Sequence, residues 1–261
     1  MFSHLNVELT SRCNKACFCC GRRKMEREYP HLVDWGDMDH EMVHKIAVQV
    51  PHRTIVQFHS NGEPLLYPYL GWALFQFRHC FRQFNTNGKL LPEKGSEIID
   101  NLDVLTISVI EKDVEGDYQY DRVKEFLAVK GDRRPNIVFR LLGKVERPDR
   151  WQELGGVVCT RVLHAPGGSY DYEREVTKPE IGVCLDLLTH LAIDRYGNIS
   201  VCVRFDPDGK LRLGNVNDIS LYDAWKHPKR LKYIEKHIDQ HRDNCGGCNG
   251  CHYWGVPRNA S

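Results

Sequence analysis

The chain has no long apolar run, no surplus of charge of either sign and no signal-like start. Nothing in its 261 residues approaches the roughly 20 consecutive apolar positions of a membrane-spanning helix, so no membrane association is expected. Basic and acidic residues number 36 and 35, a net charge of +1, which gives no electrostatic case for nucleic acid or an anionic lipid surface as partner. The opening residues, MFSHLNVELTSRC, lack a basic segment followed by an apolar one, so secretion is not expected and a cytoplasmic location is. Hydrophobic residues make up 41% and charged residues 27%, an ordinary globular composition with room for one large or two small domains.

Cysteine is plentiful: 11 residues, too many and too clustered for a disulfide framework of the kind found in short secreted chains. Four fall in the run TSRCNKACFCCGRRK, at Cys13, Cys17, Cys19 and Cys20. Cys80 and Cys159 stand alone, and Cys184, Cys202, Cys245, Cys248 and Cys251 follow. Thiols grouped at both ends of a chain suggest two separate metal centres. Cys80, in an apolar helical run, and Cys159, in a strand, are expected to be packing thiols.

Between the groups the pattern alternates. Strands are expected at Leu5–Leu9, Thr54–His59, Arg82–Thr86, Val104–Ile110, Asn136–Leu142 and Val157–Leu163, with helical periodicity between them, as in DHEMVHKIAVQV from Asp39. Such alternation implies a parallel sheet with right-handed crossovers. The expected fold class is α/β: a partial (β/α)6 TIM-like barrel over 1–175, with a small C-terminal α+β domain over 176–261. Ligands in such folds sit at the carboxyl ends of strands, which is where the first cysteine loop falls.

Cys13, Cys17 and Cys20, spaced CxxxCxxC on a loop after the first strand, resemble the radical S-adenosylmethionine (radical SAM) enzymes. That resemblance implies three thiolates holding a [4Fe–4S] cluster with one iron open to SAM. SNGEPLLYP, from Ser60, is similar to the family's GGEP motif, with Asn61 in place of its first glycine. The implied cofactor contacts are Asn61, Gly62, Glu63 and Pro64, then Asn85 and Asn87 in NTNG and Ser108 in TISVI. The family's aromatic residue before the third cysteine is Cys19 here; Phe18 takes the adenine contact, or Cys19 is a spare thiol.

The stretch from Cys184 through LAIDRYGNISVC to CGGCNGC resembles the SPASM and twitch extensions of that family, which hold an auxiliary [4Fe–4S] cluster. IDRYGNISV reads independently as a hairpin turning at Gly197. The resemblance implies Cys184, Cys202, Cys245 and Cys248 as ligands, with Cys251 able to replace one of them. Four thiolates suit structural zinc equally well, which is the competing reading. His237 and His241 are expected on a solvated helix face, and so is GRRKMERE.

The chemistry implied is reductive cleavage of SAM, hydrogen abstraction from a small hydroxylated or amino-sugar-like substrate, and oxidation of the substrate radical through the auxiliary cluster. A flavodoxin- or ferredoxin-type reductant is implied as partner. A proton acceptor is required, with His164, Asp171, Arg161 and Arg140 as candidates near strand ends. Two other readings stand beside this one. The first is a maturase of peptide side chains, although the first strand leaves no room ahead of it for a peptide-binding domain. The second is an iron–sulfur electron-transfer protein without SAM turnover.

Overall fold

A computed structural model describes residues 1–110, 116–143, 145–161, 183–203, 206–249 and 251. The first half alternates strand and helix as the periodicity demands. Strand β1 (His4–Val7) leads through the cysteine loop to α1 (Gly21–Glu28), and α2 (His40–Ala47) precedes β2 (Ile55–Gln57). The order continues α3 (Leu70–Gln76), β3 (Phe81–Thr86), α4 (Leu91–Ile98), β4 (Val104–Ile110), α5 (Gly116–Lys130), β5 (Asn136–Leu142), α6 (Asp149–Gln152) and β6 (Val157–Arg161). Helix α2 begins where the acidic start suggests, with the Asp39 carboxylate accepting from the Glu41 amide at 2.8 Å.

The second half is α7 (Leu185–Thr189), β7 (His190–Ile193), β8 (Asn198–Ser200), β9 (Arg212–Asn215), α8 (Leu221–Trp225) and α9 (Pro228–Ile238). Gly197 makes the β7–β8 turn at φ +81°, a left-handed conformation that glycine adopts without strain. Helix α8 starts at Ser220, whose hydroxyl accepts from the Asp223 amide at 3.1 Å.

Among the described residues the strands form one sheet, ordered β6-β5-β4-β3-β2-β1-β7-β8-β9. Strands β1 to β6 are parallel to their neighbours, β7 lies parallel to β1, and β8 and β9 run antiparallel. The expected α/β class is borne out: among the described residues the parallel strands β1 to β6 do not close into a barrel, which is consistent with the expected partial (β/α)6 barrel. The stretch holding the expected boundary at 175 lies outside the described residues, as does the end of the sixth expected strand.

Side chains alternate across this sheet, and the register sorts them cleanly. Leu5, Val7, Val56, Phe84, Leu105, Ile107, Phe139 and Leu141 are buried on one face, in a core shared with Val43, Ile46, Leu70, Leu74, Ile98 and Phe126 of the helices. The other face is polar in its central row: Asn6, Gln57 and Gln83 stand in register on β1, β2 and β3. Cys80 is buried beyond the end of α3 rather than within it, its thiol 3.7 Å from the Pro51 carbonyl oxygen. Phe139 is fully buried and tilts against Trp151 at 5.4 Å. Phe139→Ala is expected to cost about 3–5 kcal/mol of stability, read as a lower urea midpoint.

Candidate active site and cluster-binding loops

The cysteine loop leaves β1 at its carboxyl end and runs directly into α1. Its backbone turns on itself, with the Cys20 amide on the Cys17 carbonyl at 3.2 Å and the Arg23 amide on the Cys20 carbonyl at 3.0 Å. Cys17 lies within electrostatic reach of Cys19, Cys20 and Cys13, so all four thiols share one neighbourhood. Burial pushes the Cys17 thiol up to about 12 and Cys19 to about 11, and raises Cys13 as well. Phe18 is exposed.

The 60–64 turn docks onto this loop main chain to main chain. The Glu63 amide donates to the Arg12 carbonyl at 2.8 Å. A β-carbon on Gly62 would stand 1.9 Å from the Thr10 carbonyl oxygen, so only glycine fits. Glu63 is buried, and burial raises its pKa. Its carboxylate accepts from Thr86 Oγ1 at 2.7 Å, the Asn87 amide at 2.7 Å and the Leu65 amide at 3.2 Å. A carboxylate offers about four acceptor positions, so Glu63 ties the turn to NTNG and keeps capacity for one further donor. Pro64 begins a short 3-10 turn, Pro64–Leu66. The Asn87 amide nitrogen reaches Asn14 Oδ1 at 2.8 Å, and Asn85 meets His59 at 3.2 Å.

The sheet register places Asn85, Ser108, Arg140 and Arg161 on one face. Ser108, Arg140 and Cys159 form a single row across β4, β5 and β6. His164 and Asp171 lie outside the described residues.

At the other end of the molecule the five remaining thiols converge: Cys248 is within electrostatic reach of Cys202, Cys245, Cys251 and Cys184. Cys184 caps α7, Cys202 follows β8, and Cys245 is buried in the core. Burial raises the Cys184, Cys245 and Cys248 thiols. Arg242 holds the last loop, donating to the carbonyls of Cys248 at 3.3 Å and Cys251 at 2.9 Å. His237, expected on a solvated face, is buried instead. Its Nδ1 accepts from the Cys184 amide at 3.4 Å, because α9 turns that side inward against α7. Among the described residues no three Cys, His, Asp or Glu side chains gather as around one metal ion. A cubane cluster binds each thiolate to a different iron, so its ligands ring a larger core, and a soft all-thiol donor set is what such a core takes.

A cavity of about 410 Å³ lies around the carboxyl ends of β1 and β7 and the turn after β2. Glu8, Asn61, Cys202 and Asp206 are among the residues that line it. Glu8 is buried and Asp206 half-buried, and the loss of solvent raises both pKa values. Arg140 and Arg161 are not part of its wall. Asp34 and Trp35, on the strap between α1 and α2, also line it. Arg195 of the β7–β8 turn holds the strap, donating to Asp34 Oδ2 at 2.5 Å.

Residues 184–252 match the model of the SPASM family, an iron–sulfur cluster-binding domain. This part of the chain is similar to SPASM domains. An S-adenosyl-L-methionine-dependent 2-deoxy-scyllo-inosamine dehydrogenase from Niallia circulans is 22% identical over 258 residues, 96% of this chain and 93% of that protein. The crystal structure of BtrN in complex with AdoMet and 2-DOIA matches with a TM-score of 0.61 at 19% identity, over 97% of this chain and 93% of the other. Streptococcus suis SuiB bound to precursor peptide SuiA matches with a TM-score of 0.59 at 14% identity, over 98% and 72%. The resemblance to radical SAM enzymes with a SPASM extension is borne out.

Sequence reasoning missed Glu8, Arg22, Asp206, Arg242 and the inward side of α9. Glu8 carried a faint signal, an acid closing an apolar strand; the others looked like surface residues. GRRKMERE was expected to be a solvated face, yet Arg22 is buried, because α1 lays that residue between the cysteine loop and the strap. Gly62→Ala is expected to displace the 60–64 turn and cost about 1–3 kcal/mol, measured by urea denaturation of the unreconstituted protein.

Proposed function

We propose that this protein is a radical SAM oxidoreductase that removes two electrons from a small polar substrate carrying hydroxyl and amino groups. One observation carries the reading: a single cavity touches both Asn61, beside the Gly62–Glu63 turn, and Cys202, a thiol of the SPASM group. A substrate there lies between the two places where electrons are exchanged. When bound, a [4Fe–4S] cluster with SAM supplies one-electron cleavage of the S–C5′ bond and a 5′-deoxyadenosyl radical that removes a hydrogen atom.

The chain's own residues do the rest. Cys13, Cys17 and Cys20 hold the first cluster, and the 60–64 turn presents backbone and the Glu63 carboxylate to the ammonium of SAM. Cys184, Cys202, Cys245 and Cys248 hold the second cluster, with Cys251 as a neighbour able to substitute. The cavity wall carries four carboxylates, Glu8, Asp34, Asp194 and Asp206, against the guanidiniums of Arg195 and Arg212. That surplus of acid favours a cationic amine over an anionic ligand, and acids whose pKa is raised, as for Glu8 and Asp206, suit proton acceptance. A volume of about 410 Å³ suits a molecule of sugar or cyclitol size, which ranks this substrate class above a peptide. Oxygen-sensitive clusters fit a reducing cytoplasm, with a small flavodoxin- or ferredoxin-type protein as electron donor.

Anaerobic reconstitution with iron, sulfide and zinc counted per chain tests the proposal. About eight irons are expected. About four irons with one zinc would make the SPASM site structural and sink the oxidation reading. Replacing Cys13, Cys17 or Cys20 by alanine is expected to abolish 5′-deoxyadenosine formation. Cys184→Ala and Cys202→Ala are expected to lose the second set of irons and product while SAM cleavage persists.

A further inference from the structure

The turn that stands in for GGEP departs from that pattern at Asn61, and the structure grips this residue's main chain from both sides. Glu8 Oε1 accepts from the Asn61 amide at 3.1 Å, and Arg22 Nη1 donates to the Asn61 carbonyl oxygen at 3.3 Å. Arg22 also donates to the Ser11 carbonyl oxygen, so one guanidinium bridges the cysteine loop and the 60–64 turn. Its charge lies 3.8 Å from the centroid of the Trp35 ring, a cation–π contact strengthened by burial. Glu26 approaches it at 3.9 Å from the same helix. Both gripping side chains are buried, Arg22 at 5% and Glu8 at 6% exposure. Glu8 is further held by the Ser60 hydroxyl and the backbone of Arg195.

Burying an arginine and a glutamate costs heavily unless each is used. Here Glu8 anchors the 60–61 peptide through its N–H, and Arg22 anchors the 61–62 peptide through its C=O as well as the Ser11 carbonyl. With the peptides on both sides of the Asn61 Cα anchored, its φ and ψ are restrained, so the direction of the next residue, Gly62, is set. The neighbouring ends are fixed too: Gly62 lies against Thr10, and the Glu63 amide is held by Arg12.

We infer that Arg22 and Glu8 are positioning residues that lock the two peptides flanking the Asn61 Cα and thereby hold the SAM-binding turn in register with the cluster-holding cysteine loop. The inference rests on the radical SAM reading proposed above. It assigns a role to α1, which begins immediately after Cys20. The helix carries Arg22 to the one place from which it reaches Ser11, Asn61 and Trp35 together. One nitrogen, Nη1, serves both carbonyls, so a lysine there keeps the charge and a donor but lacks the planar guanidinium that stacks on the Trp35 indole.

The test uses the anaerobically reconstituted full chain with SAM as the probe. Iron per chain, the SAM dissociation constant by equilibrium dialysis, and the change in the electron paramagnetic resonance spectrum of the reduced protein on adding SAM are measured together. Arg22→Gln is expected to retain its iron but bind SAM about tenfold more weakly, the scale of a lost charged hydrogen bond, with Arg22→Lys in between. Glu8→Ala is expected to weaken SAM binding similarly, and Glu8→Gln, whose amide oxygen still accepts from Asn61, to recover most of the affinity. The Glu8 pair decides the matter if Arg22→Gln does not fold. Binding within twofold of wild type in iron-loaded Arg22→Gln and Glu8→Ala overturns the inference. So does Glu8→Gln behaving like Glu8→Ala, or loss of iron in step with SAM binding. Wild-type protein that holds its iron yet gives no spectral response to SAM overturns the proposed function itself, and this inference with it.

Discussion

At the centre of the molecule the main chain of Gly62 passes so close to that of Thr10 that a β-carbon would stand 1.9 Å from the Thr10 oxygen. Backbone packed on backbone at that distance leaves no freedom for either loop to drift. Around it the Glu63 amide is anchored on Arg12, the Glu63 carboxylate on Thr86 and Asn87, and the Asn61 N–H and C=O on Glu8 and Arg22 respectively. The carboxyl ends of β1, β2 and β3 are therefore one rigid unit. A site that must place a cofactor against a cluster to a fraction of an ångström needs such a unit.

That rigidity extends across β1. This strand pairs with β2 on one side and with β7 on the other, so the N-terminal parallel strands and the C-terminal segment form one continuous sheet rather than meeting across a soft joint. The Glu8 amide donates to the Ile193 carbonyl at 2.9 Å, and the Glu8 side chain serves Asn61. One residue thus links the 60–64 turn to the strand leading toward Cys202. The strap from α1 to α2 closes the remaining side, held by the paired bonds of Arg12 with Asp37 and by Arg195 with Asp34. The cavity is bounded by elements whose relative positions are set by hydrogen bonding, which is what preorganisation requires.

The strands were legible in the sequence because a buried parallel sheet needs short β-rich runs, and LNVEL, TIVQFH and VLTISVI stand out against the helices between them. The cysteine loops were legible because thiols grouped this way have few other uses. What stayed hidden was the meaning of charged side chains. Arg22, Arg23 and Arg27 look alike in GRRKMERE, and only the rotation of α1 onto the strap decides which is buried. His237 was lost for a similar reason: one turn among polar residues faces Cys184, and no local pattern marks it. Tertiary docking chooses these roles, and a local periodicity reports only apolar docking faces.

The thiols themselves show why the scaffold is built so firmly. Burial pushes Cys17 to about 12 and Cys19 to about 11, and Cys248 upward as well. Crowding adds to the effect, since a thiolate beside other thiolates in a low-dielectric pocket repels them. Without a positively charged core these groups stay protonated, and binding one must release protons and gather the thiolates against their mutual repulsion. A loose loop would relieve that repulsion by spreading apart. Here the spreading is opposed: the first loop by Arg22 and the Gly62 contact, the second by Arg242 on the carbonyls of Cys248 and Cys251. Each thiol-rich loop thus has a buried or half-buried arginine bound to its main chain, so the anchoring does not draw on the sulfur atoms.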